Sequence, residues 1–176
     1  GPEYRDYYIT LLLTGLRRSE ALNLTWERVD FKARTLTILD TKNREPHTLP
    51  LSAYLRDLFQ ARKDRSASEY VFSAPDGRHI DNFRLTTHYI EQHSGQHVTP
   101  HDLRRTFATV AERLDIPAYA LKRLLNHKQS SDVTAGYVVI DVERLRKPME
   151  KITDFVLKAA GVKEVAAVLP HRAARH

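Results

Sequence analysis

One stretch of this chain alternates apolar and polar side chains, and helical spacing surrounds it on both sides. Ala33-Arg34-Thr35-Leu36-Thr37-Ile38-Leu39 combines β-branched residues with a period of two, and His47-Thr48-Leu49-Pro50-Leu51 follows after residues 40–46. That pattern predicts a hairpin. Tyr70-Val71-Phe72 offers a third, short strand ahead of the Pro75-Asp76-Gly77 turn. Apolar residues elsewhere recur at helical intervals, which predicts helices over 4–13, 18–24, 52–63, 82–94, 100–114, 117–126 and 142–160. Pro148 is expected to break or restart the last of them. The fold class that follows is mainly α with a small antiparallel β-sheet, an α+β arrangement.

A length of 176 residues suits one domain with ample material for a core. Gly1-Pro2 resembles a tag scar, and Tyr4, Tyr7, Tyr8, Leu11 and Leu12 form an apolar helical stripe almost at once. Further sequence upstream is therefore expected. The chain has no cysteine, which excludes disulfides and thiolate metal sites. No apolar run approaches the roughly 20 residues of a membrane span, so a cytoplasmic location is expected. A net charge of +6 favours a polyanionic partner, because basic side chains on nucleic acid release counterions.

The segment from Thr99 has the strongest local signals. Thr99 can cap a helix, Pro100 suits its first turn, and Asp102 sits where a carboxylate favours a helix N-terminus. Leu103, Phe107, Val110, Ala111 and Leu114 share one face. At about 100° per residue, Arg104 borders that face while Arg105 points nearly opposite.

Four short motifs punctuate the helical regions: TGLRRSE at 14–20, HDLRR at 101–105, LLNH at 124–127 and AGY at 135–137. TGLRRSEALNLTWERVD resembles the first arginine box of the tyrosine recombinase (phage integrase) family, and HDLRRTFAT resembles its His-x-x-Arg box. LLNH is similar to its Leu-Gly-His element, and GYV ten residues later lies where that family keeps its nucleophile. The likeness runs from about residue 7 to 147 with order and spacing kept. It implies the DNA breaking-rejoining fold and a catalytic domain over residues 3–160, followed by a tail at 161–176. An N-terminal DNA-binding portion would lie outside this chain.

The implied chemistry suits the residue types. Phosphate charge under attack falls on two non-bridging oxygens, which a guanidinium fork matches while staying charged at any working pH. The resemblance assigns those forks to Arg17 and Arg104, although Arg18 competes with Arg17 on spacing alone. Tyr137 would attack, its anion favoured by the cationic cradle, and form a 3'-phosphotyrosine bond that can be resealed without ATP. His127 would donate a hydrogen bond to the phosphate. His101 would stand near the tyrosine as a general base or positioning group. Lys42, in the turn 40–45, would be the general acid for the leaving 5'-oxygen, since a lysine can be tuned to yield a proton where Arg44 seldom does. Glu20 would orient an arginine or lysine. Asn126 stands where the family has Gly, and Asn tolerates the left-handed backbone that such a position asks for.

No cofactor is implied, and tyrosine-based phosphoryl transfer needs no divalent ion. His88, His93, His97 and His101 are regularly spaced, but Ser94-Gly95 and Pro100 stop one helix from presenting them together, and HExxH is missing. A zinc site is not expected. Implied partners are duplex DNA, other recombinase protomers and accessory DNA-bending proteins, in a bacterial or phage-encoded, nucleoid-associated setting. Three functions stay open: a site-specific recombinase, a type IB topoisomerase, and a DNA-binding module without cleavage. His101 favours the first, because topoisomerases of this class carry a lysine there. The apolar segment 164–169 is expected to pack as a strand or short helix, in cis or on a neighbouring protomer.

Overall fold

The computed structural model describes residues 1–39, 41, 46–74, 76–80, 83–127 and 142–162. Its first helix, α1 (Pro2–Thr14), is buried on most sides: Tyr7, Tyr8, Leu11 and Leu13 are in the core, and so are Asp6, Thr10 and Thr14. The polar three survive burial because each finds a partner. Thr10 Oγ1 donates to the Asp6 carbonyl at 2.8 Å and Thr14 Oγ1 to the Thr10 carbonyl at 2.6 Å, the back-bonding that helical Thr favours. Asp6 meets Arg62 Nη1 at 3.0 Å, and Arg62 also donates twice to the Val71 carbonyl. Of the expected stripe, Leu12 is only half-buried and Leu13 takes its place inside.

A short helix, α2 (Arg18–Leu22), follows, and a 3-10 turn (Trp26–Arg28) leads into the sheet. Three antiparallel strands in the order β1-β2-β3 build it: β1 (Val29–Asp30), β2 (Thr35–Ile38) and β3 (His47–Pro50). Leu36 pairs with both Val29 and Leu49, and Ile38 with His47. Leu36, Ile38, His47 and Leu49 face inward, as period-two alternation requires. Pro50 is tolerated because β3 is an edge. The third strand is therefore β1, not Tyr70-Val71-Phe72; Tyr70 makes a single bridge to Thr25. The reason lies in the turn after Asp30. Asp30 Oδ1 accepts from Ala33 N at 2.7 Å and Arg34 takes φ 53°, folding two residues back onto β2.

Four helices complete the described core: α3 (Ala53–Lys63), α4 (Phe83–Ser94), α5 (Pro100–Arg113) and α6 (Ala118–Leu124), with α7 (Glu143–Ala159) closing over them. α1 packs on α2, α3, α5 and α7, while α7 also covers β3 and α6. Tyr7, Phe59 and Phe72 meet edge to face at 5.3 and 6.0 Å between ring centres, the geometry aromatic quadrupoles prefer. Contrary to expectation, α7 runs straight through Pro148. A proline inside a helix costs on the order of 3 kcal/mol, through the lost hydrogen bond and the clash of its ring with the preceding turn, but Leu145, Met149 and Ile152 are buried on either side of Pro148 and hold both halves in place.

Candidate active site

α5 sets Arg104 at the edge of the core. Thr99 Oγ1 accepts from Asp102 N at 3.3 Å, while the Asp102 carboxylate accepts from the Thr99 hydroxyl at 2.6 Å and its backbone N–H at 3.0 Å. This reciprocal cap fixes where the helix starts. Phe107 and Ala111 are fully buried, with Leu103, Val110 and Leu114 packed against the core beside them. One step round, Arg104 is half-buried; Arg105 is exposed and lies 3.8 Å from Asp102.

The Arg104 fork closes on two helix ends. Nη1 donates to the Gly15 carbonyl just past α1, and Nη2 donates to the Leu125 carbonyl just past α6 at 2.6 Å. Helix C-termini offer orphan carbonyls and the negative end of the dipole, so a cation is favoured there. Gly15 precedes Arg17 by two residues and Leu125 precedes His127 by two. One guanidinium thus holds the first arginine motif and the LLNH motif in a common frame, and two of its five N–H donors are taken up in doing so. Burial pushes the Arg104 pKa down to about 10, with the Arg17 charge acting the same way and Glu20 against it. At neutral pH it stays cationic.

Arg17 caps α2 from outside. The buried Glu20 carboxylate accepts from Arg17 N at 2.8 Å and from Arg17 Nη1 at 2.7 Å, so Glu20 fixes both the backbone and the guanidinium. Arg18 goes elsewhere. Its guanidinium lies 4.5 Å over the Phe83 ring, and its carbonyl accepts from the Tyr7 hydroxyl at 2.9 Å. Packing thus gives the two arginines different neighbours.

His127 follows Asn126, which takes φ 50°, and its N–H bonds back to the Lys122 carbonyl at 3.0 Å. The left-handed backbone expected at Asn126 is present. Burial first, then the charges of Arg104, Arg17 and Lys122, lower the His127 pKa from its ordinary value. The imidazole is neutral at physiological pH. It borders a pocket of about 230 Å³ with Pro46, His47, Lys122 and Asn126 among the other walls.

Arg17, Glu20, Arg104 and His127 therefore form one electrostatic group. His101 does not join it: it is exposed on the first turn of α5. Lys42 and Tyr137 lie outside the described residues, as do 128–141 and the tail segment 164–169. One group near the site was not singled out by sequence reasoning. His47, at the start of β3, is buried and feels Glu20, Arg104 and Arg17. Its alternation with Leu49 was the available signal. Among the described residues no three His, Asp or Glu side chains are placed to hold a metal ion, and no helix is long and apolar enough to cross a membrane.

A helical domain with this three-stranded sheet has the fold of tyrosine recombinase catalytic domains. The integrase from mycobacterium phage Brujita superimposes with a TM-score of 0.68 at 21% identity, covering 86% of this chain and 52% of that one. A lambda integrase(75-356) dimer bound to a COC' core site gives 0.61 at 17% identity over 80% of this chain and 55% of that one. The phage integrase family model matches residues 3–144, and the chain belongs to that family. Prophage integrase IntF of Escherichia coli (strain K12) is 31% identical over 163 residues, 89% of this chain and 35% of that protein. Tyrosine recombinase XerA of Thermococcus kodakarensis is 32% identical over 156 residues, 84% of this chain and 55% of that protein. The chain thus spans between about a third and just over half the length of these relatives.

Proposed function

We propose that this chain is the catalytic domain, over residues 3–160, of a site-specific DNA recombinase that cleaves and rejoins duplex DNA through a 3'-phosphotyrosine at Tyr137. The observation that carries the reading is the electrostatic imbalance at the ends of α1 and α6. Two guanidinium groups and a neutral imidazole gather there, and Glu20 is the carboxylate among the described residues whose charge opposes theirs at Arg104. A phosphodiester supplies the anion such a cluster lacks.

Arg17 and Arg104 take the two non-bridging oxygens. Glu20 keeps Arg17 in place, and His127, neutral and able to donate one N–H, adds a third hydrogen bond. Tyr137 attacks phosphorus while the 5'-oxygen leaves with a proton from Lys42, and the reverse attack by a 5'-hydroxyl reseals the strand. His101, exposed three residues before Arg104, takes or positions the tyrosine proton. The scheme uses no cofactor. The type IB topoisomerase and non-cleaving readings are not favoured, since the relatives named above are an integrase and a recombinase.

Partners under this proposal are duplex DNA, further protomers and accessory DNA-bending proteins, in the cytoplasm on nucleoid DNA. A DNA-binding portion beyond this chain completes the clamp, so this chain alone binds DNA weakly with steep salt dependence. Residues 161–176 form a tail whose segment 164–169 docks in cis or on a neighbour. The test is a nicked duplex carrying the attachment site, offered to the full-length protein. A denaturant-resistant protein–DNA adduct is expected, lost in Arg17→Ala and Arg104→Ala while DNA binding persists. An undiminished adduct in both variants would refute the assignment.

A further inference from the structure

His47 is 8% exposed and opens β3 opposite Ile38. Its Nε2 lies 3.2 Å from the Leu124 carbonyl, on the last residue of α6. A carbonyl can only accept, so Nε2 carries the proton. Burial lowers the His47 pKa, Arg104 and Arg17 push the same way, and the Leu124 hydrogen bond and Glu20 oppose them. The ring is a neutral donor.

Three carbonyls at the end of α6 are claimed, each by a different part of the molecule. Lys122 O accepts from His127 N, Leu124 O from His47, and Leu125 O from Arg104. Two of these donors belong to the proposed phosphate cradle, and the third does not face the phosphate in that scheme. His47 also walls the same pocket as His127. Without its hydrogen bond, the last turn of α6 loses this tie to β3, and the Leu125 carbonyl and His127 can shift together against Arg104.

We infer that His47 is a positioning residue: by fixing the Leu124 carbonyl it keeps Arg104 and His127 in register for one phosphate. This rests on the proposed recombinase chemistry. The mechanism is mechanical, so the effect falls on the rate of strand cleavage and not on DNA affinity. A misplacement on the order of 1 Å costs up to about 100-fold in rate, and His47→Leu, which keeps bulk but removes the donor, is expected to slow single-turnover cleavage by about 10- to 100-fold. His47→Gln retains an N–H at nearly the same reach and restores most of the rate.

The experiment compares wild type, His47→Leu and His47→Gln of the full-length protein on two nicked substrates. One carries an ordinary scissile phosphate; the other carries a 5'-bridging phosphorothiolate, whose thiolate leaves without needing a proton. The slowing in His47→Leu is expected on both substrates, with unchanged DNA affinity, because the fault lies in holding the phosphate. Slowing that disappears on the phosphorothiolate would place the fault in proton delivery and overturn the inference. Equal rates for wild type and His47→Leu would do the same. Should the Leu variant fail to fold, two results carry the test: the rate of His47→Gln, and the tautomer of His47 in the wild-type protein by nitrogen-15 NMR. A slow, folded Gln variant or a ring protonated only at Nδ1 would overturn the inference. A wild-type protein that cleaves neither substrate refutes the recombinase reading instead.

Discussion

Gly15 and Gly95 share a backbone conformation and differ in their surroundings, which isolates what the site asks of its first motif. Gly15 ends α1 at φ 67° with its N–H on the Leu11 carbonyl at 2.9 Å, and Gly95 ends α4 at φ 68° with its N–H on the Glu91 carbonyl at 2.8 Å. A methyl added at Gly95 meets nothing within 4 Å, whereas at Gly15 it would stand 2.8 Å from both Leu125 Cδ2 and Phe107 Cδ1. A left-handed alanine costs about 1–2 kcal/mol, offset by about 0.4–1 kcal/mol from the stiffer unfolded chain. Gly95→Ala should therefore cost about 1 kcal/mol. Gly15→Ala adds overpacking of about 1–3 kcal/mol, since Phe107 is fully buried and cannot swing away. Its total is about 2–4 kcal/mol. The same push displaces Leu125, whose carbonyl holds Arg104. Urea unfolding of both variants, followed by circular dichroism, gives the two numbers. Equal losses, within the roughly 0.5 kcal/mol scatter of an innocuous surface change, would refute the claim that the two motifs meet this closely at Gly15.

Two further predictions concern buried charge. Asp6→Ala strands Arg62 in the core and should cost about 3–5 kcal/mol in urea unfolding, while Asp76→Ala, which breaks an exposed pair with Arg78, should leave the midpoint unmoved; similar losses for the two would contradict the burial argument. His47 and His127 both have folded pKa values below the unfolded value of about 6.5. The unfolded chain then binds more protons, so their stability contribution is complete above about pH 6.5 and is lost as pH falls through the lowered folded values. The urea midpoint should drop between pH 7 and pH 5, and His47→Gln should flatten that slope; a midpoint that rises on acidification would exclude neutral histidines at both positions.

The parts of the fold readable from sequence were those with local causes. α5 was legible to within a residue, because Thr99, Pro100 and Asp102 act on their own turn and the Phe107-Ala111 face needs only helical periodicity. β2 and β3 were legible for the same reason. β1 was not, since two residues carry no period and their pairing depends on the turn at 31–34. Pro148 misled because its local cost is real, but buried neighbours on both sides outweigh it.

The site divides along similar lines. Glu20 was expected to orient a basic group, and it holds Arg17 at a spacing of three residues, within reach of sequence reasoning. The different surroundings of Arg17 and Arg18 were not legible, because Phe83, whose ring takes Arg18, lies far along the chain. No local pattern reveals that Arg104 spans the ends of α1 and α6. His47 could have been flagged by its inward phase with Leu49, but its partner on α6 lies 77 residues away. The roles of Lys42 and Tyr137 rest on motif order and chemistry.

The central claim is a covalent bond between Tyr137 and the 3' end of a cut strand. The most direct test traps the adduct of the full-length protein on a nicked attachment-site duplex, digests it with protease and nuclease, and locates the modified residue by mass spectrometry. A nucleotide joined through its 3'-phosphate to the peptide containing Tyr137 is the predicted result, absent in Tyr137→Phe. Attachment through a 5'-phosphate, or at any other residue, would contradict it.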